Sequence, residues 1–127
     1  MKRISALVCA VLLLGACGAS ESRLPVQEWR GATIGVETRP APVVVGMNEF
    51  LVSGTRPTRR AAYDMLVSIR MRDGDPWVQS IQDGHTGVYR RALKVGDGPQ
   101  TLQVRLKRRA EETVLFYPLP RAAATPN

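Results

Sequence analysis

The feature of this 127-residue chain that most constrains its fold is a series of short segments in which apolar and polar residues alternate. Alternation with a period of two places every second side chain on the same face of an extended strand. Turn-forming sequences rich in Gly, Asp and Pro separate these segments. Residues 32–38, 63–71 and 101–107 alternate in this way, and further strands are predicted at 43–55, 77–82, 88–95 and 112–119. The turns are DGDP at 73–76, DGHTG at 83–87 and GDGP at 96–99. The spacing predicts an all-β fold over residues 32–119, a small antiparallel immunoglobulin-like β-sandwich of about seven strands.

The segment from residue 57 to residue 71 fits two structures. As a strand it places five apolar residues on one face, and as a helix beginning near Pro57 and Thr58 it places four on one face. Val67 and Ile69 are β-branched, and the neighbouring segments are predicted strands, so we favour the strand. The strand face is Tyr63, Met65, Val67, Ile69 and Met71, and the helical face is Ala62, Met65, Leu66 and Ile69.

The N-terminus has the layout of a secretory signal, because Lys2 and Arg3 precede an almost wholly apolar run at 4–16. At about 1.5 Å per residue a helix of this run is roughly 20 Å long, too short for a hydrocarbon core of about 30 Å. The sequence Leu14-Gly15-Ala16-Cys17 resembles the lipobox of bacterial lipoproteins. The alternative is an ordinary secreted protein with an incidental cysteine.

The lipobox resemblance implies that residues 1–16 are removed and that Cys17 carries diacylglycerol and an acylated N-terminus. Residues 17–31 would form the acylated cysteine and a flexible tether, and residues 120–127 a disordered tail. The bilayer is then one partner, held through the acyl chains. Gly18 rather than Asp follows the cysteine, which favours the outer membrane, with the domain facing the periplasm.

Charge and cysteine content exclude several classes of protein. The chain carries 18 basic and 11 acidic side chains, a formal +7, which becomes +5 without Lys2 and Arg3. Cys9 lies in the segment that would be removed, so Cys17 would be the only cysteine and no intramolecular disulfide could form. A basic surface suits anionic lipid or an acidic partner, and nucleic acid is not expected for an envelope protein.

The order of segments from residue 43 onward resembles the FixH/YtkA-like family of immunoglobulin-like domains of bacterial envelopes. The matching pieces are GMNEF at 46–50, AAYDMLVSIRM at 61–71, GVY at 87–89 and the final hairpin at 97–119. The resemblance implies a sandwich fold and a respiratory-oxidase or metal-handling neighbourhood. The chain departs from the family at 72–82, where RDGDPWVQSIQ stands in place of methionine-rich sequence.

Copper is a candidate metal because envelope domains of the architecture that the chain resembles sometimes bind it through Met and His, and thioether and imidazole groups suit this metal. Met71 and His85 are the candidate ligands, although an inward-facing methionine is ordinarily a core residue. We do not expect an enzyme. Cys17 is used as the anchor, and the acidic pairs at 73–75 and 111–112 lie on predicted turns without an apolar pocket to raise a pKa.

Trp77, Tyr89, Arg90 and Arg91 are the candidate partner-binding residues, since Trp, Tyr and Arg are enriched in protein interfaces. The alternative is that Trp77 caps the sandwich and Tyr89 packs within it. The basic run at 105–109 is expected to be a solvated hairpin tip, with a polyanion site as the alternative. Three functions follow: a non-enzymatic accessory lipoprotein that binds an unidentified envelope or membrane protein, a periplasmic copper carrier, or a structural envelope lipoprotein without a specific ligand.

Overall fold

The computed structural model describes residues 23–121, which form two antiparallel β-sheets packed face to face. The first sheet has the order β1-β2-β3-β8-β7, with β4 paired to β3, and the second has the order β10-β9-β5-β6. The strands are β1 (Gln27–Trp29), β2 (Ala32–Arg39), β3 (Gly46–Arg56), β4 (Arg60–Ala61), β5 (Leu66–Arg70), β6 (Val78–Gln79), β7 (Ile81–Gln82), β8 (Val88–Val95), β9 (Thr101–Arg108) and β10 (Glu111–Pro118). The predicted β-sandwich is confirmed.

The strand order is that of an immunoglobulin-like sandwich. Strands β2-β3-β8-β7 correspond to the ABED sheet of that fold, and β5, β9 and β10 to its CFG sheet, with β6 added at the edge. Six strands have five residues or more, and the other four have two or three. These short strands account for the difference between ten observed strands and about seven predicted, because two or three residues carry no readable alternation.

The core lies between the sheets and is built from the inward-facing residue of each alternating pair. Two tyrosines cross it, and each donates its hydroxyl to a backbone carbonyl: Tyr89 to Ala62 and Tyr117 to Ile34, both at 2.9 Å. A buried hydroxyl needs such a hydrogen-bond partner. Each tyrosine therefore connects its own strand to a segment that is distant in sequence, Tyr89 to the loop at Ala62 and Tyr117 to β2 at Ile34. The largest fully buried residues are Tyr89, Tyr117, Phe50, Ile34, Ile69, Leu102 and Leu106, with five valines.

The ambiguous segment is a strand, as predicted. Strand β5 spans Leu66–Arg70, and the start signal at Pro57 gives only a short 3-10 turn, Pro57–Arg59. Four residues of the expected inward face are buried, at 4% exposed for Met65, 1% for Val67, 0% for Ile69 and 9% for Met71. Tyr63 is different, since it precedes the strand and is 51% exposed.

The folded domain begins before the predicted boundary at residue 32. Leu24 is 4% exposed in the core, and its N–H donates to the carbonyl of Val36 at 2.9 Å. Strand β1 then pairs with β2. Residues 23–31 therefore belong to the sandwich and not to a tether, because Leu24 and β1 occupy the edge of the first sheet. The predicted signal at 1–16 and residues 17–22 lie outside the described residues.

The C-terminal boundary also lies later than predicted. The Arg121 guanidinium donates to the carbonyls of Gly96, at 2.7 Å, and Gly98, and residue 121 forms a bridge with Val43. Residues 120 and 121 therefore extend the fold, and the rest of the predicted tail, 122–127, lies outside the described residues.

The sandwich has two ends with different loops. Strand β2 runs from one end to the other over eight residues, about 26 Å at 3.3 Å per residue. The end where β2 begins carries residues 30–31, 56–65, 83–87 and 108–111, and we name it the arginine-rich end. The opposite end carries residues 39–45, 71–77, 96–100 and 119–121. Arg23 pairs with Glu37 near the opposite end, so the described chain both starts and finishes there.

Candidate functional site

Positive charge is concentrated at the arginine-rich end. Its four loop segments contain six arginines and three carboxylates, whereas those of the opposite end contain three of each. The arginines come from the β1–β2 turn, the β3–β4 loop and the β9–β10 hairpin, and therefore from both sheets. They are Arg30, Arg56, Arg59, Arg60, Arg108 and Arg109. The predicted hairpin tip at 105–109 is thus one part of a larger charged surface.

Asp64 is held between two of these arginines. Arg56 Nη2 lies 2.5 Å from Asp64 Oδ1, and Arg108 Nε lies 2.9 Å from Oδ2. The hydrogen bond from Arg56 is the main cause of a lowered pKa of Asp64; partial burial opposes it, and Arg108 lowers the pKa further. The carboxylate remains ionised at neutral pH and ties the β3–β4 loop to the second sheet.

A second ion pair joins two turns of this end. Arg30 Nε lies 3.3 Å from Glu111 Oε2, and the side chains are 64% and 48% exposed. Within residues 23–121, Arg59, Arg60 and Arg109 make no ion pair with an acidic side chain. Among the described residues, three arginines of this end are therefore paired with a carboxylate and three exposed ones are not.

A shallow cavity of about 200 Å³ lies beside these arginines, lined by Arg56, Arg60, Ala61, Tyr63 and Asp64. The half-exposed Tyr63 ring meets His85 edge-on, with the ring centroids 4.8 Å apart. Gln82 Nε2 donates to the Tyr63 carbonyl at 2.5 Å. The cavity thus offers guanidinium donors, a carboxylate acceptor and an aromatic ring together.

Buried hydrogen bonds hold the loops of this end in place. The Tyr89 hydroxyl donates to the Ala62 carbonyl and accepts from the Met65 N–H at 3.3 Å. The Gly54 N–H donates to the Gly87 carbonyl at 2.8 Å. Gly87 has a φ of 78°, and a Cβ there would lie 2.6 Å from the Gly54 carbonyl oxygen, so this close approach requires glycine.

The predicted partner residue Trp77 lies away from this end, against the second sheet. The guanidinium carbons of Arg70 and Arg105 lie 4.3 and 4.7 Å from its ring centroid. Arg70 Nε also donates to Gln103 Oε1 at 2.8 Å, and Gln103 Nε2 donates to Asp73 at 2.7 Å. The Trp77 ring is therefore engaged by cations of its own chain.

The other three predicted partner residues do not join Trp77 on one surface. Tyr89 is 1% exposed, so its assignment as a partner contact is wrong; its hydroxyl is used inside the fold. Arg90 pairs with Glu49 at 3.2 Å on the outer face of the first sheet. Arg91 lies opposite the buried Phe50, on the other face of β8.

The two candidate copper ligands lie apart. Met71 is 9% exposed and packs in the core at the opposite end, while His85 lies in the turn at the arginine-rich end. The structure does not bring them to one site. Across residues 23–121, no three His, Cys, Asp or Glu side chains are grouped so as to hold a metal ion.

The sequence analysis missed most of the arginine-rich end. Only the basic run at 105–109 was singled out, although RPTRR at 56–60 carried a comparable signal in its density of arginine next to a proline turn. Arg30 is isolated in the sequence. Its proximity to the hairpin depends on the strand order, which local pattern does not specify.

Comparisons of the chain with protein-family models, with curated proteins and with solved structures found no match. Within the described range, no helix is long and apolar enough to span a bilayer.

Proposed function

We propose that this protein is a non-enzymatic, lipid-anchored domain of the bacterial cell envelope that presents its arginine-rich end to a partner. Acyl chains on Cys17 would attach it to the membrane, and the sandwich would act by binding. The observation that carries the proposal is the position of Arg23 and Leu24, which bring the chain into the fold at the opposite end.

The distances support an outward orientation of the arginine-rich end. Six peptide units separate Cys17 from Arg23, so the connection reaches at most about 20 Å. The arginine-rich end lies about 20 Å or more from Arg23 along β2. The arginine-rich end would reach the bilayer that holds Cys17 only if the segment between Cys17 and Arg23 were fully extended alongside the domain.

Metabolic labelling with a palmitate analogue tests the anchor. We expect label on the wild-type chain, none on Cys17→Ala, and full label on the matched control Cys9→Ala, since residue 9 would be removed with the signal. An unlabelled wild-type protein, or label retained by Cys17→Ala, overturns the proposal.

A second experiment tests the orientation. Thr58→Cys and Asp97→Cys place one thiol at each end, and each is labelled with a fluorophore on the acylated chain in vesicles that contain a lipid-bound quencher. Stronger quenching is expected at residue 97 than at residue 58. Equal or reversed quenching contradicts the outward presentation of the arginine-rich end.

A further inference from the structure

Backbone strain coincides with the arginines of this end. Four non-glycine residues within 23–121 have a positive φ: Arg30 at 48°, Thr58 at 65°, Arg59 at 60° and Arg109 at 56°. All four belong to the arginine-rich end, and three are arginines on three different turns. For an L-amino acid the left-handed region costs roughly 1–2 kcal/mol per residue.

Turn geometry does not explain arginine at these positions. Glycine, asparagine and aspartate are the residues that tolerate a positive φ, and the paired residues of a tight hairpin turn favour Asn-Gly or Gly-Gly. The β1–β2 turn instead contains Arg30 followed by Gly31, whose φ is 77°. The turn requires a positive φ at the position of Arg30 but not an arginine. Arginine at a position that glycine would occupy without strain points to a role for the arginine side chain.

Charge chemistry indicates what the side chains bind. The same end already pairs Arg56 and Arg108 with the carboxylate of Asp64, and Arg30 with that of Glu111. Arg59, Arg60 and Arg109 carry the same guanidinium group, and no carboxylate within residues 23–121 pairs with them. A guanidinium donates charge-assisted N–H hydrogen bonds to a carboxylate. An external carboxylate would therefore repeat the type of contact that Arg56 and Arg108 make with Asp64.

We infer that the arginine-rich end binds a segment of a partner protein that carries several Asp or Glu residues, with Arg59, Arg60 and Arg109 contacting its carboxylates. Sheets pack about 10 Å apart, so arginines from both sheets are suited to several carboxylates along one chain rather than to one small anion. Tyr63, beside the cavity, supplies the aromatic contact typical of protein interfaces. The inference rests on the proposed function only for the outward orientation of this end.

The probe is a fluorescein-labelled oligoglutamate of about ten residues, which extends over about 33 Å. Its binding to the full chain in nonionic detergent is measured by fluorescence anisotropy at about 50 mM salt, where exposed charges are only partly screened. We expect Arg59→Gly with Arg109→Gly to raise Kd about tenfold. Because glycine relieves strain at both positions, the thermal midpoint should stay unchanged or rise.

Two further variants separate a local site from net charge. Arg39→Gln with Arg72→Gln removes the same charge at the opposite end and should change Kd by less than about twofold. Arg60→Gln, at an extended backbone position with a φ of −81°, should weaken binding without a change in strain. An equal loss in the opposite-end variant overturns the inference, because binding would then follow net charge alone.

The partner class is tested with two competitors. Polyphosphate, and phosphatidylglycerol dispersed in the same detergent, are titrated against the same chain. Oligoglutamate binding that depends on residues 59 and 109, with weaker binding of both competitors, supports an acidic protein segment. Tighter binding of either competitor through the same arginines, or no binding of oligoglutamate, overturns it. Neither outcome alters the lipid label on Cys17, so failure of this inference is distinguishable from failure of the anchor.

Discussion

The two ends of the sandwich hold their loops by similar means but differ in charge and in connection to the rest of the chain. At the arginine-rich end, the buried Tyr89 hydroxyl binds the loop at 62–65. At the opposite end, the buried Asn48 side chain makes three hydrogen bonds to Val44 and Gly46. Only the arginine-rich end has an excess of cations, and only the opposite end receives the N-terminal segment. The charged surface and the entry of the N-terminal segment therefore lie at different ends of one scaffold.

The largest expected effect comes from comparing one glycine at each end. Gly87→Ala would place a Cβ 2.6 Å from the Gly54 carbonyl oxygen at a φ of 78°, whereas Gly98→Ala, at a φ of 76°, would meet nothing within 4 Å. We expect urea unfolding to show a loss of about 2–4 kcal/mol at residue 87, from strain and overpacking together. At residue 98 the loss should be about 1 kcal/mol, from strain alone. Equal losses would mean that the contact between a Cβ at residue 87 and the Gly54 carbonyl oxygen does not lower the free energy of unfolding.

Asn48→Ala should show that the opposite end can be loosened without effect on the charged surface. The side chain is 2% exposed, and its removal leaves the Val44 N–H and carbonyl without their partner. We expect a loss of about 2–3 kcal/mol in urea unfolding. Oligoglutamate binding, measured well below the unfolding midpoint, should be unchanged; a parallel loss of binding would show that the two ends are coupled.

The raised pKa values of the two buried tyrosines predict that the free energy of unfolding falls at alkaline pH. Burial raises the pKa of Tyr117 to about 12 and also raises that of Tyr89, against a usual 10.0. The unfolded chain therefore releases these protons first, so the stabilisation is complete below pH 10 and is lost between about pH 10 and 12. For Tyr117 the loss is on the order of 2 kcal/mol. Tyr117→Phe should unfold with a weaker pH dependence over that window, and an unchanged profile contradicts the assignment.

The smallest effect on stability is expected for Asp64→Asn, at the centre of the arginine-rich end. The ion pairs are partly exposed, so the loss should stay below about 1 kcal/mol. This loss of stability should be seen only at pH values above the lowered pKa of Asp64. Below that pKa the wild-type carboxyl group is protonated, so the wild-type protein also lacks the ion pairs. Arg56 and Arg108 become available, so the Kd for oligoglutamate should fall about threefold. Weaker binding would mean that Asp64 positions the arginines for the partner.

Strands β2, β5 and β9 and the core residues that they supply were predictable from sequence, because alternation over seven or more residues is a strong local signal. The buried polar residues of the second sheet were not. Gln103 occupies an outward position of β9 yet is 6% exposed, because the loop at 71–77 folds back and Trp77 lies against Arg70 and Arg105. Alternation assigns a face to a side chain but does not show what covers that face.

The limits of the domain and the charged surface were harder to predict for a related reason. Leu24 stands between polar residues and a proline, so its place in the core has no local signature. The Arg30 and Glu111 contact joins residues about eighty positions apart, and only the arrangement of β1 beside β2 and of β9 beside β10 brings their turns together. Such contacts depend on topology, which the sequence pattern leaves open.

The entry of the N-terminal segment has a mechanical consequence. Residues 23–29 run antiparallel to β2, from the opposite end toward the arginine-rich end, with Leu24 locked into the interior. A pull on the chain ahead of Arg23 therefore acts along the strand axis. Under such a pull the hydrogen bonds between residues 23–29 and β2 would be loaded together in shear rather than broken one after another. This pairing should therefore resist a force applied to the chain ahead of Arg23.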